Sequence, residues 1–153
     1  MSAENKIAAT NRKARHEFEI LDTYEAGVVL KGTEIKSIRQ NQVNFRDSYA
    51  RYEDGEIFIF NLHISPYDKG NRFNVDPLRK RKLLLHKHEI KRLIGKLAEK
   101  GLTLIPLKVY FKKSRAKIEL GLARGKRTYD KRREIAKKDH TRLRQVEEND
   151  GKK

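Results

Sequence analysis

Along this 153-residue chain the alternation of apolar and polar positions sets the first expectations. In EFEIL, Phe18 and Ile20 alternate with Glu17 and Glu19, and AGVVLKG follows with β-branched residues, so two short strands are predicted there. DSYARYEDGEIFIFN is the clearest local signal. Two alternating runs flank Asp54-Gly55, a dipeptide that tolerates the positive φ angles of a type I′ turn, and this predicts a β-hairpin. LTLIPLKVYFKK and AKIELGLAR, separated by Lys113, Ser114 and Arg115, predict a second hairpin with mostly lysine on its outward side and with Pro106 at an edge or bulge. The period lengthens in two places. Ile35 and Ile38 lie three apart behind Thr33, an expected N-cap, which gives a short helix over residues 34–40. From His86 onward, Ile90, Leu93, Ile94, Leu97 and Ala98 share a helical face, Lys91, Arg92, Lys96 and Glu99 fall elsewhere, and Gly101 supplies the stop.

HISPYDKGNRFNVDPLRKRKLLLH, with Pro66, Gly70 and Pro77, reads as a long loop, and loops of this length inside a domain are more often functional than idle. The first ten residues are small and polar and are expected to be mobile. Strand alternation assigns Phe58 and Phe60 to the core, leaving Tyr67 and Phe73, in the loop, as candidates for stacking on bases. Taken together, several short antiparallel strands around one amphipathic helix predict a mainly β fold. The expected form is an OB-fold-like antiparallel β-barrel with Greek-key topology, plus a few helices and a basic C-terminal tail; the alternative is an α+β sandwich. The predicted division is a flexible N-terminus at 1–10, a barrel at 11–125 and a tail at 126–153.

Charge changes this picture most. Residues 1–78 carry 11 Lys and Arg against 12 Asp and Glu, a net of −1, whereas residues 79–153 carry 26 against 9, a net of +17. Such asymmetry calls for a polyanionic partner, a nucleic acid first and an anionic membrane surface second. Cys is absent, the opening residues lack the apolar stretch of a secretory signal, and no apolar run nears 18 residues, which together fit a reducing cytosol and no membrane.

Catalytic patterns are missing. The Ser and His residues have no elbow or triad context, and GLARGKRT lacks the spacing of a phosphate-binding loop. His86 and His88, two apart at a helix start, are expected to point to different faces without a third ligand, so no metal is assigned. An RNA-cleaving enzyme would have to use His63 and Glu56, which no motif supports; a structural ribosomal protein with a basic extension is the other alternative. Cationic clusters suited to phosphates stand at Arg12, Lys13 and Arg15, at Arg79, Lys80, Arg81 and Lys82, and at Arg124, Lys126 and Arg127. The run from Ala123 to Gln145 has almost nothing apolar to bury. A helix there would draw its stability from a partner, with cations at Lys131, Arg132, Arg133, Lys137, Lys138, Arg142 and Arg144 meeting phosphates, and Tyr129 free to stack.

NRKARHEFEI, YEAGVVLKGTEIKSIR, DSYARYEDGE, HISPY with KGN, DPLRKRKLLLH and LARGKRTYDKR, in this order over about residues 11 to 133, resemble the small protein B family, the SsrA-binding proteins that partner transfer-messenger RNA (tmRNA) in bacterial ribosome rescue. The resemblance implies an OB-type barrel that binds the tRNA-like part of tmRNA, stands in for an anticodon arm, and delivers the alanine-charged RNA to stalled ribosomes. It implies no enzyme activity and no cofactor, and partners in tmRNA and both ribosomal subunits; a monomer is the simplest expectation. By the same resemblance tmRNA binding depends on Asn11, Glu25 and Leu84, with Ala123 and Gly125 in the same patch. Arg12, Lys13, Arg15, Lys36, Arg79, Arg81, Lys82, Lys126 and Arg127 are expected to join them. As a carboxylate, Glu25 would accept from a base amino group or orient an arginine rather than meet phosphate. The tail, unstructured alone, would fold as a helix in the empty mRNA channel, with Tyr129, Asp130, Lys131 and Arg132 at the decoding centre. Tyr129 stands where some members have histidine, and Glu147, Glu148 and Asp150 stand where family tails are often basic.

Overall fold

The computed structural model describes residues 5–70, 74–99 and 101–126. In chain order the elements are β1 (Asn5–Thr10), α1 (Ala14–Glu17), β2 (Phe18–Val28), α2 (Gly32–Arg39), β3 (Val43–Asn44), β4 (Tyr49–Glu53), β5 (Glu56–Phe60), β6 (His63–Ile64), β7 (Arg81–Leu84), α3 (Lys87–Leu97), β8 (Leu102–Lys112) and β9 (Arg115–Gly125). The main sheet runs β1-β8-β4-β5-β7-β2-β9, and β9 also pairs with β8. The strands from β8 round to β9 therefore close into a ring of antiparallel pairs, the expected OB-like barrel, with β1 added to the outer edge of β8. Closure leaves the ring without a free edge. No described helix is long and apolar enough to cross a membrane.

Both hairpins form as the sequence predicts. Asp54 and Gly55 take φ angles of 50° and 84°, and Lys113 and Ser114 take 50° and 65°, the left-handed pair that a two-residue type I′ turn requires. Inside the ring Ile57, Ile59, Leu83, Leu104, Val109 and Leu120 are all fully buried, and Leu93 of α3 packs with them. Each such side chain contributes about 1.5–3 kcal/mol relative to exposure.

Two bulges build a second, smaller core on the outside of the wall. Pairing slips between Pro106 and Lys108 of β8, where the proline has no N–H to lose, and between Ile20 and Asp22 of β2. The slips turn Ile105, Leu107, Phe18 and Ile20 outward, where they cluster with Ala123 beneath Ala14 of α1. Gly121 sits against this cluster: a Cβ there would lie 3.1–3.3 Å from three carbons of Leu107, so that side chain would have to give by a few tenths of an ångström to admit one.

Several sequence expectations change. Residues 5–10 are strand β1, not a mobile terminus, because main-chain bonding to Lys108–Lys112 of β8 orders a segment too polar to reveal itself by pattern. Residues 1–4 lie outside the described part. EFEIL and AGVVLKG join into the single strand β2, bent at its bulge. The second helix starts after Lys31 rather than Thr33, since the Lys31 N–H donates to Glu34 Oε1 at 2.8 Å. RKLL, expected as loop, is strand β7 between β2 and β5. Phe58 and Phe60 face outward, because Ile57 and Ile59 take the interior positions; Phe60 stacks on Tyr49 with ring centroids 5.3 Å apart, and Lys80 lies 4.5 Å from the Phe58 ring. The His86 and His88 rings stack 5.5 Å apart instead of diverging.

One buried charge cluster ties α2 to the barrel. The Arg81 guanidinium, 0% exposed, donates from Nε to Glu34 Oε2 at 2.5 Å, from Nη1 to the Leu62 carbonyl at 2.6 Å and from Nη2 to the Pro77 carbonyl at 3.0 Å. Arg79 Nη2 donates to Glu34 Oε1 at 2.6 Å. Burial alone would raise the Glu34 pKa, but the bonds from Arg79, the Lys31 N–H and Arg81 outweigh it and hold the carboxyl below its ordinary value of 4.5. A depressed carboxylate pKa gives stability that is complete above the unfolded value and fades as pH falls through the folded one. Urea unfolding at a series of pH values should therefore show stability falling below about pH 4.5, and Glu34→Gln should flatten that acid limb.

Candidate nucleic-acid interface

Alternation along three adjacent strands decides what the barrel shows to solvent. On β2, Tyr24 and Ala26 are buried while Glu25 is exposed; on β7, Leu83 is buried while Leu84 is 51% exposed; on β9, Ile118 and Leu120 point inward and leave Lys117 and Glu119 outside. These outward positions are neighbours, since Gly27 pairs with both Leu84 and Lys117, and Glu25 pairs with Glu119. Glycine at 27 matters here, because a Cβ would stand 3.3 Å from Leu84 Cβ and crowd the exposed leucine.

The Glu25 carboxylate is held in place. It accepts a hydrogen bond from the Tyr110 hydroxyl, and Lys112 Nζ lies 3.5 Å away. The Tyr110 bond, and secondarily Lys112, keep Glu25 ionised below the usual carboxylate range, against a smaller effect of burial. Burial, and then the neighbouring carboxylate, push the Tyr110 hydroxyl well above its usual value, so it remains a donor. An anchored, ionised acceptor beside Lys112 and Lys117 selects amino groups, as base edges offer, over phosphates.

Toward the start of β2 the same wall ends at α1. Arg12, Lys13 and Arg15 are exposed there, Gly125 pairs with Phe18 at the rim, and Lys126 donates from its backbone N–H to the Glu17 carbonyl and from Nζ to the Arg15 carbonyl, both at 3.0 Å. Strand pairing thus brings Glu25 and Leu84 onto one wall and places Gly125, Lys126 and the cations of α1 at its end.

Other expected contacts stand differently. Arg81 cannot meet RNA, because it lies fully inside the protein on Glu34. Ala123 is 0% exposed beneath α1, so its small size serves packing. Asn11 is half-buried and acts on the fold: its backbone N–H donates to the Leu107 carbonyl at 2.7 Å and its Nδ2 to the Pro106 carbonyl at 2.9 Å, clamping the β8 bulge. Arg79 is committed to Glu34, and Lys82 lies 3.6 Å from Glu56. Lys36 belongs to α2, away from the wall, with its ammonium 5.3 Å from the Tyr67 ring. Arg127, Tyr129, Asp130, Lys131, Arg132, Arg133, Lys137, Lys138, Arg142 and Arg144, and Phe73 of the loop, lie outside the described residues. Sequence reading misses Tyr110, whose position on a lysine-rich strand looks like core; its signal is visible only once Glu25 is placed across β9.

Comparison with known proteins identifies the family. Residues 8–149 match the family described as SmpB protein. The SsrA-binding protein of Carboxydothermus hydrogenoformans is 65% identical over 137 residues, covering 90% of this chain and 92% of that one. The SsrA-binding protein of Thermus thermophilus is 63% identical over 128 residues, covering 83% and 89%. A solved structure described as "tmRNA-SmpB: a journey to the center of the bacterial ribosome" superposes with a TM-score of 0.69 at 59% identity, covering 83% of this chain and 93% of its own. The closed barrel, the ordered motifs and these similarities agree: the chain belongs to the SmpB protein family.

Proposed function

We propose that this protein binds tmRNA through the wall formed by β7, β2 and β9 and, with it, serves the rescue of stalled ribosomes by trans-translation. The observation that carries the reading is the meeting of Glu25 and Leu84 on one exposed wall that ends in the cations of α1. Both are among the residues on which the family resemblance places tmRNA recognition, the others being Asn11, Ala123 and Gly125, and relatives at 62–65% identity are SsrA-binding proteins. Leu84 offers an apolar contact and Glu25 a fixed acceptor, while Arg12, Lys13, Arg15 and Lys126 neutralise phosphates beside them. The barrel stands where a tRNA would carry its anticodon arm. The residues from Arg127 onward form the second half of the device, in which Tyr129, Asp130, Lys131 and Arg132 act at the decoding centre and the later cations follow the vacant mRNA channel. Nothing in this reading requires bond-making by the protein.

Truncation after Arg127 separates the two halves. Filter binding should show tmRNA affinity nearly unchanged, while an in vitro translation assay on a message lacking a stop codon should show tagging abolished. Loss of tmRNA binding in the truncated protein would defeat this division of labour.

A further inference from the structure

At the far end of β2, beyond its pairing with β7, a cleft of about 390 Å³ opens between the start of α2 and the loop that follows β6. Three of its lining residues are Lys31, Lys36 and Lys69, and none of the residues that line it is Asp or Glu. Asp68 is exposed and does not line it. Glu34, the carboxylate one would expect to compensate the lysines, is turned inward and saturated by Arg79, Arg81 and the Lys31 N–H. Among the described residues none of the three lysines forms an ion pair. The cleft is therefore an uncompensated cationic site with an aromatic ring in it.

The loop that carries this ring is held. The backbone of Tyr67 is gripped on both sides by one carboxamide: its N–H donates to Asn74 Oδ1 and its carbonyl accepts from Asn74 Nδ2, each at 2.8 Å. Gly70 is buried in the same turn, and a Cβ there would come within 2.7–2.9 Å of the Asn74 carboxamide and Thr33, so a larger residue would have to displace the side chain that holds the loop. The Tyr67 side chain is half-buried, and Lys36 Nζ stands 5.3 Å from its ring centroid. A π-face with the Lys36 ammonium over it, beside ammonium groups that lack a carboxylate partner, matches a nucleotide whose base is unstacked: the base takes the ring in place of Lys36 and its phosphates meet the lysines.

We infer that this cleft binds one unpaired nucleotide of an RNA, through stacking on Tyr67 and phosphate contacts from Lys36, Lys69 and Lys31. The inference rests on the RNA-binding reading above and adds a site that the β7–β2–β9 wall does not include. The nucleotide can come from tmRNA or from ribosomal RNA, so the test has two arms: full-length tmRNA and purified bacterial ribosomes, each titrated with the full chain and then cross-linked with short-wavelength ultraviolet light.

In one arm Tyr67 should carry a nucleotide adduct by mass spectrometry. In that arm Tyr67→Leu should lose the adduct and bind roughly 5- to 100-fold more weakly, the range that losing one base–aromatic stack brings, whereas Tyr67→Phe should bind as wild type. Lys36→Gln with Lys69→Gln, both at exposed positions that do not support the fold, should reduce the salt dependence of log affinity by about one for each phosphate no longer neutralised. If this double variant keeps the wild-type salt slope in both arms, or if Tyr67→Leu keeps its unfolding midpoint and binds both RNAs like wild type, the inference is overturned. Failure of the tmRNA reading itself shows differently, as a wild-type chain that does not bind tmRNA.

Discussion

Arg81→Ala is expected to destabilise the fold by about 3–5 kcal/mol, because it strands the buried Glu34 carboxylate without its closest partner and orphans two carbonyls. The residue sits at 0% exposure with three acceptors around it, and those acceptors come from α2, from the residue before β6 and from the loop before β7. Removing the guanidinium therefore loosens every element that converges there. Arg81→Lys should recover little of the loss, since a single ammonium group cannot span acceptors that a planar fork reaches at once. Urea unfolding followed by circular dichroism measures the change. A loss below about 1 kcal/mol would mean that the cluster adds nothing beyond a solvated pair.

Leu84→Ala is expected to do the reverse. With half its surface in water, the side chain supports little of the core, so the unfolding midpoint should barely move, within the roughly ±0.5 kcal/mol usual for surface changes. On the proposed function, the same change removes an apolar contact at the centre of the RNA-facing wall, and tmRNA affinity should fall by at least about 10-fold, as for an interface hot spot. Electrophoretic mobility shift with tmRNA reads the effect; wild-type affinity in the folded variant would show that the wall is not the binding face. The two substitutions lie three positions apart on one strand, yet they separate stability from binding, because a pleated strand sends alternate side chains to opposite faces.

That division also shows where sequence reading succeeds and where it stops. Hairpin turns are legible because Asp54-Gly55 announces its backbone angles, and α3 because its apolar positions recur over three turns. RKLL carries no such mark. Its cations look like a surface run, and only the structure shows that Arg81 points inward to a carboxylate 47 residues earlier in the chain. EIFIF has apolar residues on both faces, so the pattern cannot say whether the isoleucines or the phenylalanines face the interior. Glu25 and Leu84 come from family resemblance, and both are exposed. Asn11 and Ala123 come from the same resemblance, but here they are seen to shape the bulged corner that supports α1.

Because β9 returns to β8, the strands close on themselves, most thinly where β4 meets β8 through the single pair Ala50 and Leu104. Widening any one gap would strain the ladders on both sides, and the bulges that set its corners are themselves pinned by Asn11 and by the fit of Leu107 over Gly121. On the proposed function the domain then works as a stencil rather than a glove: an RNA settling on a closed ring would do most of the bending, and discrimination would fall to how cheaply each candidate takes the required outline.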